Sequence, residues 1–170
     1  MSDNVYLGNP NLKKANTAIE FTEDNIREFM KCKDDPVYFA KNYVKIISLD
    51  EGLTQFEPYH FQEKLINNFH SNRFNICKMP RQTGKSTTVV SYLLHYAVFN
   101  DSVNIGILAN KAATARELLG RLQTAYENLP KWMQQGIIAW NKGSLELENG
   151  SKILAASTSA SAVRGMSFNI

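Results

Sequence analysis

Polar and apolar positions follow two different periods along this chain, and the switches between them mark its elements. The first twenty residues are polar and punctuated by Gly8-Asn9-Pro10-Asn11, which reads as an arm that lies on something else or is mobile. Thr22 then has the place of a helix N-cap, with Glu23 and Asp24 in the first turn, where the helix dipole favours negative charge. Ile26, Phe29 and Met30 recur at i, i+3 and i+4 and predict an apolar face. Asp35-Pro36 predicts a second helix start, with Asp as cap and Pro in the first position, followed by Val37, Phe39, Ala40 and Tyr43. The apolar stretch 44–49 predicts a short strand.

Further on the periods alternate. Residues 58–70 read as a helix with Phe61, Leu65, Ile66 and Phe69 on one face, and 74–79 as a short strand. A helix is predicted over 85–99, a strand over 103–109, and an amphipathic helix over 111–128 with Ala115, Leu118, Leu119, Leu122 and Tyr126 as its buried stripe. Leu129-Pro130 ends it. A weak strand follows at 137–140. Then 145–148, Asn149-Gly150 and 151–156 form a hairpin signature, because Asn-Gly suits the turn whose twist matches paired strands. Strand, helix, strand, helix predicts an α/β protein with a parallel, helix-covered sheet. No internal repeat is visible.

Composition narrows the class. The 170 residues, 44% hydrophobic and 21% charged, suffice for one domain or the front of a larger one and exclude a wholly disordered chain. Nineteen Lys and Arg against sixteen Asp and Glu leave +3, too small an excess to argue for nucleic acid by itself. No apolar run approaches the roughly 20 residues that span a bilayer, and Met1-Ser2-Asp3-Asn4 does not open a secretory signal. Cys32 and Cys77 form no metal-spaced pair, which suits a reducing, cytosolic setting. The scattered His60, His70 and His95 argue against a zinc site.

The chemistry concentrates at Gly84-Lys85-Ser86, where a predicted strand turns into a predicted helix. A phosphate-binding loop needs this layout: backbone N–H groups wrap the phosphates, the Lys reaches the outer ones, and the hydroxyl binds Mg²⁺. The tripeptide alone is weak evidence, since roughly one in ten chains of this length carries it by chance. The pattern also departs from the usual one. Its first Gly is replaced by Met79, followed by Pro80-Arg81-Gln82-Thr83; the bland alternative is a helix start with an incidental lysine. Gln62 stands 23 residues before Lys85 and follows Tyr59 and Phe61. Helicase-like ATPases place at this distance a Gln whose amide reads the adenine edge while an aromatic packs on the ring; in isolation Phe61-Gln62 is one turn of an amphipathic helix. Arg81 is placed to offset charge on a transferring phosphoryl group, or is a solvated loop arginine. The strand end Gly106-Ile107-Leu108-Ala109-Asn110-Lys111 and the small-residue loop from Ser157 to Gly165, with Arg164, are further candidates for ligand contact.

An ATPase of this kind also needs a carboxylate pair at the end of an apolar strand. The only match, Ile46-Ile47-Ser48-Leu49-Asp50-Glu51, precedes the loop rather than following it and reads as a decoy. Ser167-Phe168-Asn169-Ile170 looks like the beginning of another strand.

Taken in order, Gly8-Asn9-Pro10-Asn11-Leu12-Lys13-Lys14-Ala15-Asn16, Pro80-Arg81-Gln82-Thr83-Gly84-Lys85-Ser86-Thr87, Gly106-Ile107-Leu108-Ala109, Trp140-Asn141-Lys142-Gly143-Ser144 and Ala162-Val163-Arg164-Gly165-Met166-Ser167-Phe168 resemble the large terminase subunit of tailed bacteriophages, nearest the myovirus type. That resemblance implies an N-terminal ATPase domain of the P-loop, RecA-like type, a parallel sheet with flanking helices, here expected to stop before the carboxylate (Walker B) strand. It implies an arm over 1–20 and an incomplete ATPase domain over 21–170, without the family's nuclease domain. The family's own phosphate loop carries an Arg-Gln pair before Gly-Lys, so the departure at Met79 is what the resemblance implies. It assigns ATP and Mg²⁺ as cofactors. Lys85 and Ser86 take the phosphate and metal roles, Arg81 is an arginine finger in cis, Gln62 reads adenine, and Gln82, Thr83, Gly84 and Thr87 line the loop. The implied work is translocation of double-stranded DNA into a prohead. Portal and small terminase subunit are the implied partners, with a possible homo-oligomeric ring in the full-length form, in host cytoplasm and away from membranes. The chain alone is expected to hydrolyse ATP poorly or not at all. A helicase or restriction-type translocase fragment, and a non-enzymatic nucleotide- or DNA-binding remnant of a split gene, are the alternatives.

Overall fold

The computed structural model describes residues 4–48, 50–158 and 165–170. Helix α1 (Glu23–Asp34) starts at a reciprocal cap, in which Thr22 Oγ1 accepts from Asn25 N–H at 3.1 Å and Asn25 Oδ1 accepts from Thr22 N–H at 3.3 Å. Helix α2 (Pro36–Tyr43) follows at once because the Asp35 carboxylate accepts from the N–H groups of Val37 and Tyr38, both at 2.9 Å. Both starts lie where the sequence places them. Strand β1 (Lys45–Ser48) is present, but it pairs antiparallel with an unforeseen β2 (Gly52–Gln55) in a separate two-stranded sheet. Asp50 and Glu51 sit exposed between them, away from the main sheet.

Helices α3 (His60–Ser71), α4 (Lys85–Phe99) and α5 (Ala112–Glu127) agree with their periodicity to within two residues at each end. The main sheet contains β3 (Asn104–Ala109), β4 (Ile137–Trp140), β5 (Ser144–Leu147) and β6 (Lys152–Ser157), in the order β3-β6-β5-β4. Only β3 and β6 run parallel; β5 is antiparallel to both of its neighbours. The sheet is therefore mixed, not parallel as the alternation of elements predicts. Two tight turns cause this. Gly150, at φ +81°, closes the Asn149-Gly150 turn, and Asn141 Oδ1 accepts from Gly143 and Ser144 N–H at 3.0 and 2.9 Å to close the turn between β4 and β5.

A second correction concerns 74–79. These residues form no strand, and Phe74 and Ile76 stand in water. Among the described residues no neighbouring backbone offers this stretch a ladder, and a strand without one does not form. The terminal residues 167–170, expected to begin a strand, form none in the sheet, but they do bond to β3. Ile170 N–H donates to Asn104 O at 3.4 Å and Gly106 N–H donates to Ile170 O at 2.9 Å, the pattern that joins parallel neighbours, along the edge of β3 opposite β6.

Helix α5 lays its stripe on β3 and β6, with Ala115, Leu119, Leu122 and Tyr126 buried. Helix α4 packs on α5 and, from its other side, on α2 and α3, so it is apolar nearly all round. A ring cluster of Phe29, Phe39, His95 and Phe99 joins α4 to α1 and α2. His95 Nε2 donates to the carbonyl of buried Cys32 at 2.9 Å, and burial pushes the imidazole down to about 4. The expected apolar face of α1 is only half used: Phe29 packs inward, while Ile26 and Met30 remain exposed beside Phe21.

The arm lies on the body, one of the two alternatives its sequence allows. Lys13 and Ala15 exchange backbone bonds with Ile137 on β4, Leu12 is buried, and Gln134 clasps Lys13 N–H and Asn11 O at 3.0 and 2.9 Å. Lys13 Nζ meets Glu148 at 2.8 Å. Burial alone would raise the Glu148 carboxyl; Lys13 and the N–H groups of Asn16 and Gly136 outweigh it and hold the carboxyl below its ordinary value.

Candidate functional site

The segment before α4 is a tight loop. Pro80 begins it, and Thr83 Oγ1 donates to Pro80 O at 3.1 Å. Gln82 at φ +61° and Gly84 at φ +71° are both left-handed, so the backbone curls around Thr83. Such curls gather N–H groups into a concavity that suits anions. Gly84 is the residue preceding α4, and no side chain caps that helix. The N–H groups of its first turn therefore keep no intrahelical acceptor, at the positive end of a fifteen-residue helix. Thr88, one turn in, places both its N–H and its hydroxyl on Gly84 O at 3.0 Å each. Sequence reasoning missed Thr88; its one signal is a hydroxyl four residues after the glycine.

The loop brings Arg81, Gln82, Thr83, Gly84, Lys85, Ser86 and Thr87 together because they are consecutive. Arg81 and Lys85 are exposed, and neither makes an ion pair among the described residues. Both cations therefore remain available to an anion in the concavity. The donor set, backbone N–H with one ammonium, one guanidinium and the hydroxyls of Ser86 and Thr87, fits a polyphosphate with its divalent cation.

Gln62, far away in sequence, reaches the loop from α3. Its side chain is 3% exposed. Oε1 accepts from Tyr59 N–H at 2.8 Å, and Nε2 approaches Thr83 O at 3.4 Å. A Cβ added to Gly84 would meet the end of the Gln62 side chain, which would have to shift; the left-handed φ is what calls for glycine there. Beside Gln62, Tyr59 and Phe61 are 69% and 46% exposed, and their rings stack at 5.8 Å and 12°. The structure thus joins the aromatic pair, Gln62 and the loop in one place.

At the far end of β3, Thr158 N–H donates to Ala109 O at 2.9 Å, which keeps the ends of β3 and β6 together. Lys111 follows, exposed. Arg164 lies outside the described residues.

A family model described as the terminase large subunit, T4likevirus-type, N-terminal, matches residues 76–170, more than half of the chain and including the loop. Among solved structures, the crystal structure of the HK97 bacteriophage large terminase is similar at a TM-score of 0.63 and 17% identity. The likeness covers 79% of this chain and 29% of that one. At that identity it speaks for the fold, an α/β domain, and the chain spans less than a third of that relative's length.

Proposed function

The chain belongs to the family of terminase large subunits, T4-like type, N-terminal region, and on that premise we propose that it is a nucleotide-binding part of the motor that packages phage DNA. The reading makes it a P-loop domain of RecA-like type that takes Mg-ATP. The observation that carries it is the loop: a left-handed Gly84, an uncapped helix start, and Lys85 and Ser86 in its first turn. Lys85 would hold the outer phosphates and Ser86 the metal. The backbone over 82–87, Thr83 included, with the Thr87 hydroxyl, would cradle the phosphates. Bound Mg-ATP would supply the phosphoryl group whose transfer drives translocation. Arg81, free and exposed in the same turn, is the candidate to offset charge on that group from within the chain. Double-stranded DNA as the cargo, portal and small terminase subunit as partners, a ring in the full-length protein, and the host cytoplasm as its place all follow from the family and belong to the proposal.

Equilibrium titration of the 170-residue chain with Mg-ATP tests this. Saturable binding is expected. Lys85→Ala should weaken it about tenfold or more, the loss expected when a charge-assisted bond to phosphate is removed. Ser86→Ala should weaken it more with Mg²⁺ than in EDTA. Binding that ignores Lys85→Ala would reduce the loop to an ordinary helix start.

A further inference from the structure

We propose that Thr88 is a positioning residue for the phosphate loop: its hydroxyl secures the start of α4 from the carbonyl side, so that the N–H groups of Lys85, Ser86 and Thr87 stay open to an anion. The inference rests on the nucleotide-site reading above and adds to it a residue outside the loop.

Other helix starts show the contrast. At α1 the Thr22 hydroxyl accepts from Asn25 N–H, and at α2 the Asp35 carboxylate accepts from Val37 and Tyr38 N–H. Each cap steadies its helix by using up first-turn donors. An anion site cannot be built that way, because cap and anion compete for the same N–H groups. Before α4 stands Gly84, which has no side chain to cap with. Here the hold comes from inside the helix. Gly84 O accepts twice, from Thr88 N–H and from the Thr88 hydroxyl, both at 3.0 Å. Helix α5 also lacks a capping side chain, and the matching position there is Ala115, whose N–H alone reaches Lys111 O, at 3.3 Å.

Burial makes the hydroxyl a placed feature. Thr88 is fully buried, on the face of α4 that also carries Tyr92 and His95 and packs on α2 and α3. The helix is apolar nearly all round, and Val89 and Val90 follow directly. Valine has the outline of threonine and would suit that setting better, since a buried hydroxyl costs free energy unless it is bonded. The bond it makes goes to the loop. Its effect follows from the planarity of the peptide. Gly84 C=O and Lys85 N–H belong to one trans unit and point in opposite directions. Two donors that draw this carbonyl into the helix aim Lys85 N–H out of it, toward the concavity. Helix ends fray, and the second donor holds this glycine-led start in place.

The test uses the whole chain with Mg-ATP and Mg-tripolyphosphate, alongside thermal melts. Thr88→Val keeps the volume and removes the hydroxyl. It should bind both probes about three- to fivefold more weakly, as for part of one hydrogen bond, and melt within about 2 °C of wild type. Thr88→Ser keeps the hydroxyl and removes the methyl. It should bind within about twofold of wild type and melt about 2–5 °C lower. A residue that only packs cannot give this crossed pattern, because its affinity losses would follow its melting losses. Amide hydrogen exchange adds a readout that needs no ligand: in Thr88→Val the amide at position 88 should exchange faster than in wild type, while the last turns of α4 do not. Wild-type affinity in Thr88→Val, equal affinity losses in Thr88→Val and Thr88→Ser, or unchanged exchange at position 88 would each overturn the positioning role while leaving the nucleotide site standing. A Thr88→Val melt well below that of Thr88→Ser would assign the hydroxyl to stability and overturn it too. If wild type binds neither probe, or Lys85→Ala changes nothing, the nucleotide-site reading fails and this one with it.

Discussion

His95 shows how one side chain ties stability to pH. Its imidazole is buried among Phe39, Tyr92 and Phe99, faces His70 at 6.0 Å, and spends its one donor on the Cys32 carbonyl. Burial lowers it from 6.5 to about 4, with His70 acting the same way and the Cys32 and Lys33 carbonyls and Asp35 opposing. A base depressed in the fold binds its proton more readily when unfolded. Its neutral form therefore favours folding above pH 6.5, and that contribution is lost as pH falls through the window from 6.5 to about 4. The loss amounts to about 3 kcal/mol. Thermal melts from pH 7 to 4.5 should show it, and His95→Gln, which keeps a donor without the titration, should flatten the slope. An equally steep slope in the variant would assign the acid sensitivity elsewhere. No period or motif in the sequence sets this histidine apart from His60 and His70. Its role depends on two helices meeting over it, which only the fold supplies. Gly84 is the opposite case, since its place before Lys85 identified it in advance.

Among the elements, helices were legible, and so was the one strand pairing with a local turn signature, the β5–β6 hairpin at Asn149-Gly150; the other pairings were not. Helix caps are local chemistry, and Thr22, Asp35 and the stripe of α5 are readable within a few residues. A strand is defined by its neighbour. The apolar stretch at 74–79 has strand composition and no ladder, while β2, with Gly52 and Gln55 in it, looks poor and pairs well. The arm is the element whose weight the sequence concealed, because its polar residues turn out to be clasped ones. Leu12→Ala should cost about 2–4 kcal/mol, and so lower the melting midpoint by about 5–15 °C. Gly136→Ala should act on the same contact, since a Cβ there would strike Ala15 and the Glu148 carboxylate. The two losses should fall short of additive when combined. Full additivity in a double-mutant melt would mean that the arm and β4 are energetically separate.

For the molecule as a whole, the α/β class and the reversal at Asn149-Gly150 were legible, while the reversal between β4 and β5 was not, because the Asn141 turn that makes it carries no comparable signature. The residues from Arg81 to Thr87 share one turn because they are consecutive, which the sequence alone shows; the burial of the Gln62 amide was not legible, since it depends on how α3 packs against that turn. The stretch ahead of the loop, lying off the sheet, gives the molecule a reagent-accessible handle. Its Cys77 thiol is half-exposed three residues before Pro80, whereas Cys32 is sealed in the core and pushed up to about 12 by burial. Treatment with a maleimide at neutral pH should add one label, mapped to Cys77 by peptide mass, without any substitution. Adduct on Cys32 in the folded chain would contradict the packing of α1. A dye on Cys77 would sit beside the loop and give an optical signal of its occupancy in the unaltered sequence.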